Sequence, residues 1–497
     1  VMGAKQGLPV PTRISQSASS GSSSASEGKN IADVVEDIGF GPSQARMSFI
    51  GGGVMMADGS ELLLISSVVM AVANEWDLGP FERSGLITLV YLGLIGGNAC
   101  SGPLGDRFGR RPVIVCSFFA IFIFSVLSSL STSAQMLGVL RFFVGMAFGL
   151  GQPAWNALGS EITPAYWRMV NPIVGQILFI FGELYSCSLI YFQDPTMKNL
   201  QWRPLLRLGS LPAVFFGILA MSPDMLVESP RYLAVQGRLQ EAMEVLSTMA
   251  AGNGMMTARI DFRPPELHRA QKWWEPITEI FSKEYRLTTF ITTFGGATWN
   301  LIYYGALYAF PQILPGLTMG SSAAAELLYG ALWELPGILL AIFLAITLPR
   351  RQMMGTIGVV GAVVLVMFAV GAANPELAHQ GLLLHVGYAG IKLIAIPGFC
   401  IYYLYPGEVF PTTSRTTGMA FVTAGARVAA MVAPMLFEYV TLKWSFAVFF
   451  YLGAIMAFMT SIGAYLLPFE TLGKALEDTA KTNESATNYG SASLGQA

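Results

Sequence analysis

Charge is scarce in this chain. Of its 497 residues only 12% are Asp, Glu, Lys or Arg, while 53% are hydrophobic. A soluble globular protein carries about a quarter charged residues, so this composition excludes an ordinary water-soluble body. Histidine is nearly missing, at three residues, and the four cysteines (Cys100, Cys116, Cys187, Cys400) stand far apart inside apolar runs. They make neither a zinc spacing nor a disulfide framework and read as small packing residues. No phosphate loop, metal cluster or nucleophile–base pair is legible. The sequence therefore does not read as an enzyme, and no cofactor is expected. A net charge of −2 gives no basis for a nucleic-acid partner. The Ser-rich stretch 15–26 lacks an apolar core, which makes it a tail and not a signal peptide.

What the chain has instead is long apolar runs. A helix crossing the hydrocarbon of a bilayer needs about 20 predominantly apolar residues, and twelve stretches qualify: 49–73, 84–104, 112–131, 134–158, 169–192, 203–222, 287–310, 322–347, 353–373, 380–404, 417–442 and 444–467. The expected fold is an all-α membrane protein with twelve transmembrane helices in two pseudo-symmetric six-helix bundles. The expected division is a tail over 1–45, a first half over 46–222, a charged linker over 223–286, a second half over 287–467 and a tail over 468–497. Arg259, Arg263, Arg269 and Lys272 are among the linker charges. Arg107, Arg110, Arg111, Arg168, Arg350, Arg351 and Arg415 fall in loops on one side, so the positive-inside rule places both termini in the cytoplasm. The sequon at Asn483 then lies on the wrong side for glycosylation.

A repeat supports the two halves. Glu161-Ile-Thr-Pro164-Ala-Tyr-Trp-Arg168 follows the fourth run and Glu408-Val-Phe-Pro411-Thr-Thr-Ser-Arg415 follows the tenth. Each half also ends alike, in Glu228-Ser-Pro-Arg231 and in Pro468-Phe-Glu470-Thr-Leu-Gly473. Parallel six-helix repeats are a layout of secondary transporters.

Gly102-Pro-Leu-Gly-Asp106-Arg107-Phe-Gly109-Arg110-Arg111, between the second and third runs, matches the cytoplasmic signature of the major facilitator superfamily. Arg141-Phe-Phe-Val-Gly145-Met-Ala-Phe-Gly149-Leu-Gly151 resembles its second signature, and the two half-ends are similar to its sugar-porter and organic-ion branch. More narrowly, Glu36-Asp37-Ile-Gly-Phe-Gly41, the Asp58…Glu61 pair, Tyr303-Tyr304-Gly305, Glu334-Leu-Pro-Gly337 and Tyr405-Pro-Gly-Glu408 resemble the synaptic vesicle two-related proteins. The resemblance spans about residues 36–477. It implies the major facilitator fold, a monomer in a lipid bilayer, and transport of a small solute by alternating access. The second copy of the loop signature is reduced to Leu348-Pro349-Arg350-Arg351 with no acid before it, which predicts a weaker charge network in the second half. Two sugar-porter features are also missing: Thr293-Phe294 stands where paired glutamines are usual, and Cys400-Ile-Tyr402-Tyr403 replaces Pro-Trp.

Among the ionisable residues inside apolar runs, seven are the candidates for bilayer depth: Asp58, Glu61, Arg141, Glu183, Glu334, Lys392 and Arg427. Each costs a few kcal/mol at bilayer depth unless it meets a partner or a wet cavity. Asp58 and Glu61 are three apart and share a helix face. The resemblance implies that one of them approaches Arg141 and serves proton coupling. Glu183 reads as lying towards the outer end of its run. Glu334 precedes Pro336-Gly337, an expected helix break. Lys392 and Arg427 give the second half a positive interior. With Gln176, Tyr303 and Tyr304, the residues Glu183, Glu334, Lys392 and Arg427 form the expected substrate cavity, suited to an organic ion moved with protons. The loop residues Asp106, Arg107, Arg110, Arg111, Glu161, Arg168, Glu228 and Arg231, with Glu408, Arg415 and Glu470, form the expected gating network. Two alternatives stay open here: a non-transporting vesicle protein with a transporter fold, and a facilitative sugar carrier. The membrane is that of the cell surface or of an intracellular vesicle.

Overall fold

The computed structural model describes residues 29–168, 170–255, 274–317, 319–411 and 414–472. The Ser-rich tail, Arg259, Arg263, Arg269, Lys272, Gly473 and Asn483 lie outside the described residues. Eleven helices are long and apolar enough to cross a membrane. The first six spans are Pro42–Trp76, Pro80–Phe108, Arg110–Ser128, Ala134–Ile162, Val170–Gln193 and Trp202–Met221. Span seven is Arg286–Ile313, followed by spans eight to twelve: Ala323–Thr347, Arg350–Ala373, Gln380–Val409, Arg415–Lys443 and Phe446–Leu466. Span seven is the one outside the eleven. Thr288, Thr289, Thr292, Thr298 and Asn300 lower its hydropathy, and it tolerates them because other helices bury it on nearly every side.

Several helices outrun their apolar stretches, since hydropathy reads only the part that meets hydrocarbon. Span one begins at Pro42, where proline suits a first turn and the Gln44 side chain accepts the Gly41 N–H. Span six is two helices meeting at Ser210. Pro212 has no N–H to offer the Leu208 carbonyl, and the Tyr185 hydroxyl of span five donates to it instead at 2.8 Å. Span eight is not broken as expected; it runs unbroken through Pro336.

The two halves repeat one packing plan. Span two packs along four, one along five, and three along four and six. The same pairs recur as eight on ten, seven on eleven, and nine on ten and twelve. Between the halves, two meets eleven, five meets eight and one meets seven. Spans two and four can approach closely because a Cβ at Gly145 or Gly149 would collide with the carbonyls of Val90 and Leu94. Inside the first half, Arg141 of span four donates to Glu61 of span one at 2.6 Å, and each is only 1% exposed. Ser125 of span three donates to the same carboxylate and accepts from Arg141 at 3.0 Å. This triad pins three helices together. Asp58 takes no part in it.

Spans one and twelve start and finish at the same end of the bundle, the near end, where the two loop networks lie. In the first half Arg110 holds Glu161 at 3.2 Å and Asp106 at 3.1 Å, while Glu228 accepts the backbone N–H groups of Arg110 and Arg111. In the second half Arg350 grips Glu408 through two bonds of 2.9 and 3.0 Å, and Glu470 accepts the N–H groups of Arg350 and Arg351. Thr471 adds a bond of 2.6 Å to Glu408. The shortened second signature therefore keeps its network, because the working acids come from the last turn of span ten and from the stretch after span twelve. The expected network is corrected at four residues. Arg107 lies over the Phe108 ring; among the described residues Arg168 and Arg231 are exposed without an ion pair, and the Arg415 side chain donates to the Phe410 carbonyl alone. Glu36 explains part of the pre-helix motif: it accepts the Ala165 N–H at 2.6 Å and ties the helix Ile31–Ile38 to the loop after span four.

Burial pushes the Glu228 carboxyl above its ordinary value despite the N–H groups it accepts. At Glu470 burial also acts upward, but four backbone N–H groups outweigh it and hold the carboxyl below its ordinary value. The two equivalents thus oppose each other in pH dependence. A depressed carboxyl stabilises above its unfolded pKa, and that stability is lost as pH falls through the folded value; a raised one stabilises below the unfolded pKa and loses the effect as pH rises. In detergent melting curves Glu470→Gln should lower the melting temperature at pH 7 and cost less as the pH approaches 4. Glu228→Gln should cost little at pH 7 and more on acidification; parallel profiles would contradict these environments. Separately, Glu61→Gln leaves Arg141 buried and unpaired, a loss of roughly 3–5 kcal/mol. Glu61→Gln with Arg141→Gln should recover much of the lost melting temperature, since neither charge then remains.

Candidate functional site

Close contact between spans one and five sets up the site. A Cβ at Gly182 would collide with the Met56 carbonyl, so the two backbones touch, and Ser60 and Ser186 bond across them at 3.0 Å. The next residue along span five, Glu183, is thereby carried to the boundary between the halves. It is fully buried at mid-depth, which corrects its expected place at the outer end. Lys392 of span ten lies 3.5 Å from it and 2.6 Å from Glu334 of span eight. The Tyr303 hydroxyl of span seven is 3.0 Å from both carboxylates. Glu334 therefore serves this cluster and not the carbonyls near Pro336.

A second cluster lies beside it. Asp58 of span one is fully buried and accepts from the Gln152 amide of span four at 2.6 Å. The carbonyl oxygen of the same Gln152 accepts from Arg427 of span eleven at 3.3 Å, and Arg427 also donates to the Tyr304 hydroxyl at 2.9 Å. A carboxylate of one half and a guanidinium of the other thus meet through one neutral amide. Asp58 Oδ1 and Arg427 Nε are enclosed and have no hydrogen-bond partner among the described residues. Tyr91 of span two stacks edge-on against Tyr304 at 5.3 Å.

A third contact closes the far end. Arg83 of span two grips Glu438 of span eleven through bonds of 2.7 and 2.6 Å, and Tyr308 donates to the same carboxylate at 2.6 Å. Thr88 bonds the Met431 carbonyl, and the Ala324 N–H bonds the Pro195 carbonyl, also across the halves. Among the described residues no ion pair or side-chain hydrogen bond joins spans of opposite halves at the near end.

The expected cavity residues Glu183, Glu334, Lys392 and Tyr303 come together in the first cluster, and Arg427 and Tyr304 join Asp58, expected to serve proton coupling, in the second. Gln176 is half-buried on span five and belongs to neither. Glu61 and Arg141 stand apart as a pair within one half. Gln152, Arg83 and Glu438 were not anticipated. Glu438 is a carboxylate inside an apolar run, and Gln152 directly follows Gly151 of the second signature; both signals are in the sequence. Trp155, Trp299 and Tyr402 are buried packing residues set against glycines. A groove of about 600 Å³ on the flank of spans eight and ten, lined by Tyr329, Trp333, His385 and Leu393, holds none of the mid-depth charges.

The profile of the family described as "Sugar (and other) transporter" matches residues 62–482. The synaptic vesicle 2-related protein of Xenopus laevis is 27% identical over 475 residues, covering 90% of this chain and 82% of that protein. Its counterpart in Rattus norvegicus is 26% identical over 473 residues with the same coverage. Among solved structures, the inward-open xylose transporter XylE from E. coli superposes with a TM-score of 0.69 at 19% identity, covering 88% of this chain and 99% of that one. The proton:xylose symporter XylE bound to 6-bromo-6-deoxy-D-glucose superposes with a TM-score of 0.63 at 19% identity and the same coverage. These structures share the fold of twelve helices in two halves. With 421 of its 497 residues inside the matched range (482 − 62 + 1), this chain, a multi-pass integral membrane protein, belongs to the family of sugar and other transporters.

Proposed function

We propose that this transporter moves a small organic anion together with a proton by alternating access. The observation that carries the reading is the Asp58–Gln152–Arg427 bridge between the halves. Arg427 keeps its charge at any physiological pH and presents a planar fork suited to a carboxylate or similar anion. It sits between Tyr304 and Gln152 without an ion pair among the described residues. An anion arriving there replaces one weak amide contact with a charge-assisted one. Asp58 faces the same bridge from the other half and keeps one oxygen unpartnered. A proton on Asp58 removes a negative charge from beside the anion, so each favours the binding of the other, and the coupling is reciprocal.

The contact pattern supports alternating access. Bonds between the halves occupy the far end and mid-depth, and the arginine-rich near end has none among the described residues. With the positive end in the cytoplasm, the conformation is inward-facing. The Arg83–Glu438–Tyr308 contact is then the outer gate, and Arg110–Glu161 and Arg350–Glu408 brace the inner loops. The names of the synaptic vesicle 2-related relatives favour an intracellular vesicle membrane. Glu61 and Arg141 take a positioning role, holding span one so that Asp58 faces Gln152.

Purified protein in liposomes, offered organic anions, organic cations and hexoses, tests this reading. An organic anion should accumulate only when the pH gradient is imposed. Asp58→Asn should abolish that accumulation while counterflow exchange continues. Arg427→Gln should weaken anion binding by about tenfold or more, since a hydrogen bond to a charged group contributes roughly 1.5–3 kcal/mol. Hexose equilibration without a gradient would overturn the proposal in favour of a facilitative carrier. Accumulation undiminished in Asp58→Asn would remove the coupling role from that residue.

A further inference from the structure

We propose that Glu183 and Glu334 share a single proton through the Tyr303 hydroxyl, making the cluster a protonation-controlled latch between the halves. This site is separate from the Asp58–Arg427 bridge and stands whether or not the solute is an anion. Tyr303 has one hydroxyl proton, yet its oxygen is 3.0 Å from a carboxylate oxygen on each side. If both acids were ionised, one of those contacts would set an oxygen lone pair against a bare carboxylate, in a place that water does not reach. Lys392 does not resolve the conflict. It lies 2.6 Å from Glu334 but 3.5 Å from Glu183, whose Oε2 has no hydrogen-bond partner among the described residues although Glu183 is fully buried.

One added proton satisfies the cluster. Glu183 carries it on Oε1 and donates to the Tyr303 oxygen. Tyr303 donates to Glu334 Oε2, and Lys392 donates to Glu334 Oε1. The Lys392 charge is then balanced by one carboxylate instead of two. With every acid ionised, the mid-depth residues Asp58, Glu61, Glu183 and Glu334 outnumber Arg141, Lys392 and Arg427 by one, and this proton removes the excess. The other groups packed around Glu183 offer no alternative partner. Tyr388 of span ten donates to the Glu326 carbonyl, Cys187 lies one turn along span five, and Tyr91 and Tyr304 belong to the Arg427 cluster. On span one, Asp58 and Glu61 are directed to Gln152 and Arg141.

The topology gives the proton a consequence. Glu183 is the cluster's sole member in the first half; Tyr303, Glu334 and Lys392 belong to the second. While Glu183 is protonated, the bond that this cluster makes across the boundary is a neutral one. Once Glu183 is ionised, Lys392 divides between two carboxylates, and a buried ion pair ties span five to spans eight and ten. Separating the halves there would strand a charge. Loss of the proton therefore tightens the closure, and its gain frees the halves to part.

Infrared spectroscopy of the full chain in lipid at neutral pH tests the shared proton directly. The wild type should show a protonated-carboxyl band that shifts in D₂O. Glu183→Gln should lose one carboxyl group's worth of that band and keep the fold, because the amide can donate to Tyr303 as the acid does. Glu334→Gln should lose it too, since Glu183 then ionises against Lys392. Spin labels at the far ends of spans five and eight should show a pH-dependent distance distribution in the wild type and a pH-independent one in Glu183→Gln. Asp58→Asn should leave this dependence in place, so failure of the coupling assigned to Asp58 and failure of the latch are read separately. A band unchanged in both glutamate variants, or a spin-label pH dependence that survives in Glu183→Gln, would overturn the proposal.

Discussion

An ionised side chain inside a bilayer-spanning bundle must find a counter-charge, a hydrogen-bonding partner or water, and the arrangement of this protein follows from how each charge meets that demand. The cost is too large to leave any of them idle. Glu61 and Arg141 satisfy each other within one half and, with Ser125, fix the positions of spans one, three and four. Arg83 and Glu438 satisfy each other across the halves and close one end. What remains is incompletely matched: a carboxylate and a guanidinium joined by an amide, and two carboxylates sharing one lysine and one tyrosine. These unmatched groups lie at mid-depth, where a solute crossing the membrane has to pass.

The fold was largely legible because it rests on features that survive in one dimension. Apolar runs of bilayer length, charged loops on one side and the paired Glu-x-x-Pro-x-x-x-Arg octets need no knowledge of contacts. Span boundaries were less so. Pro42, Gln44 and Gly41 extend span one well past its apolar stretch through capping, to which hydropathy is blind. Pro336 suggested a broken helix, yet the structure shows continuous helix, as membrane helices tolerate proline when neighbours supply the missing bonds.

The site was legible by composition and not by pairing. The ionisable residues inside apolar runs were visible at once, but their partners lie scores to hundreds of positions away and depend on helix rotation. Asp58 and Glu61 share a face, and one or the other was expected to approach Arg141. The structure sends them to different residues of span four, Gln152 and Arg141, separated by three helical turns. Glu183 looked peripheral by its place in its run, and only the glycine-mediated contact of spans one and five carries it to the boundary. The second loop signature looked degraded because its motif is local, whereas its acids, Glu408 at the end of span ten and Glu470 after span twelve, arrive from 58 and 120 residues away.

The two mid-depth clusters have different chemistry because their shortfalls differ. The Asp58–Arg427 bridge is balanced in charge but poor in bonds: one neutral amide holds both ions, and an unpartnered atom remains on each. A polar or charged solute can supply those bonds. The Glu183–Glu334–Lys392 cluster is rich in bonds but unbalanced in charge, and a proton is the smallest addition that balances it. Both clusters draw on span seven, through the adjacent residues Tyr303 and Tyr304, whose rings meet edge-on at 5.2 Å. A displacement of span seven that admits a solute beside Tyr304 therefore moves the hydroxyl on which the neighbouring carboxylates depend. The polar character that lowers the hydropathy of span seven belongs to the helix through which the two clusters touch.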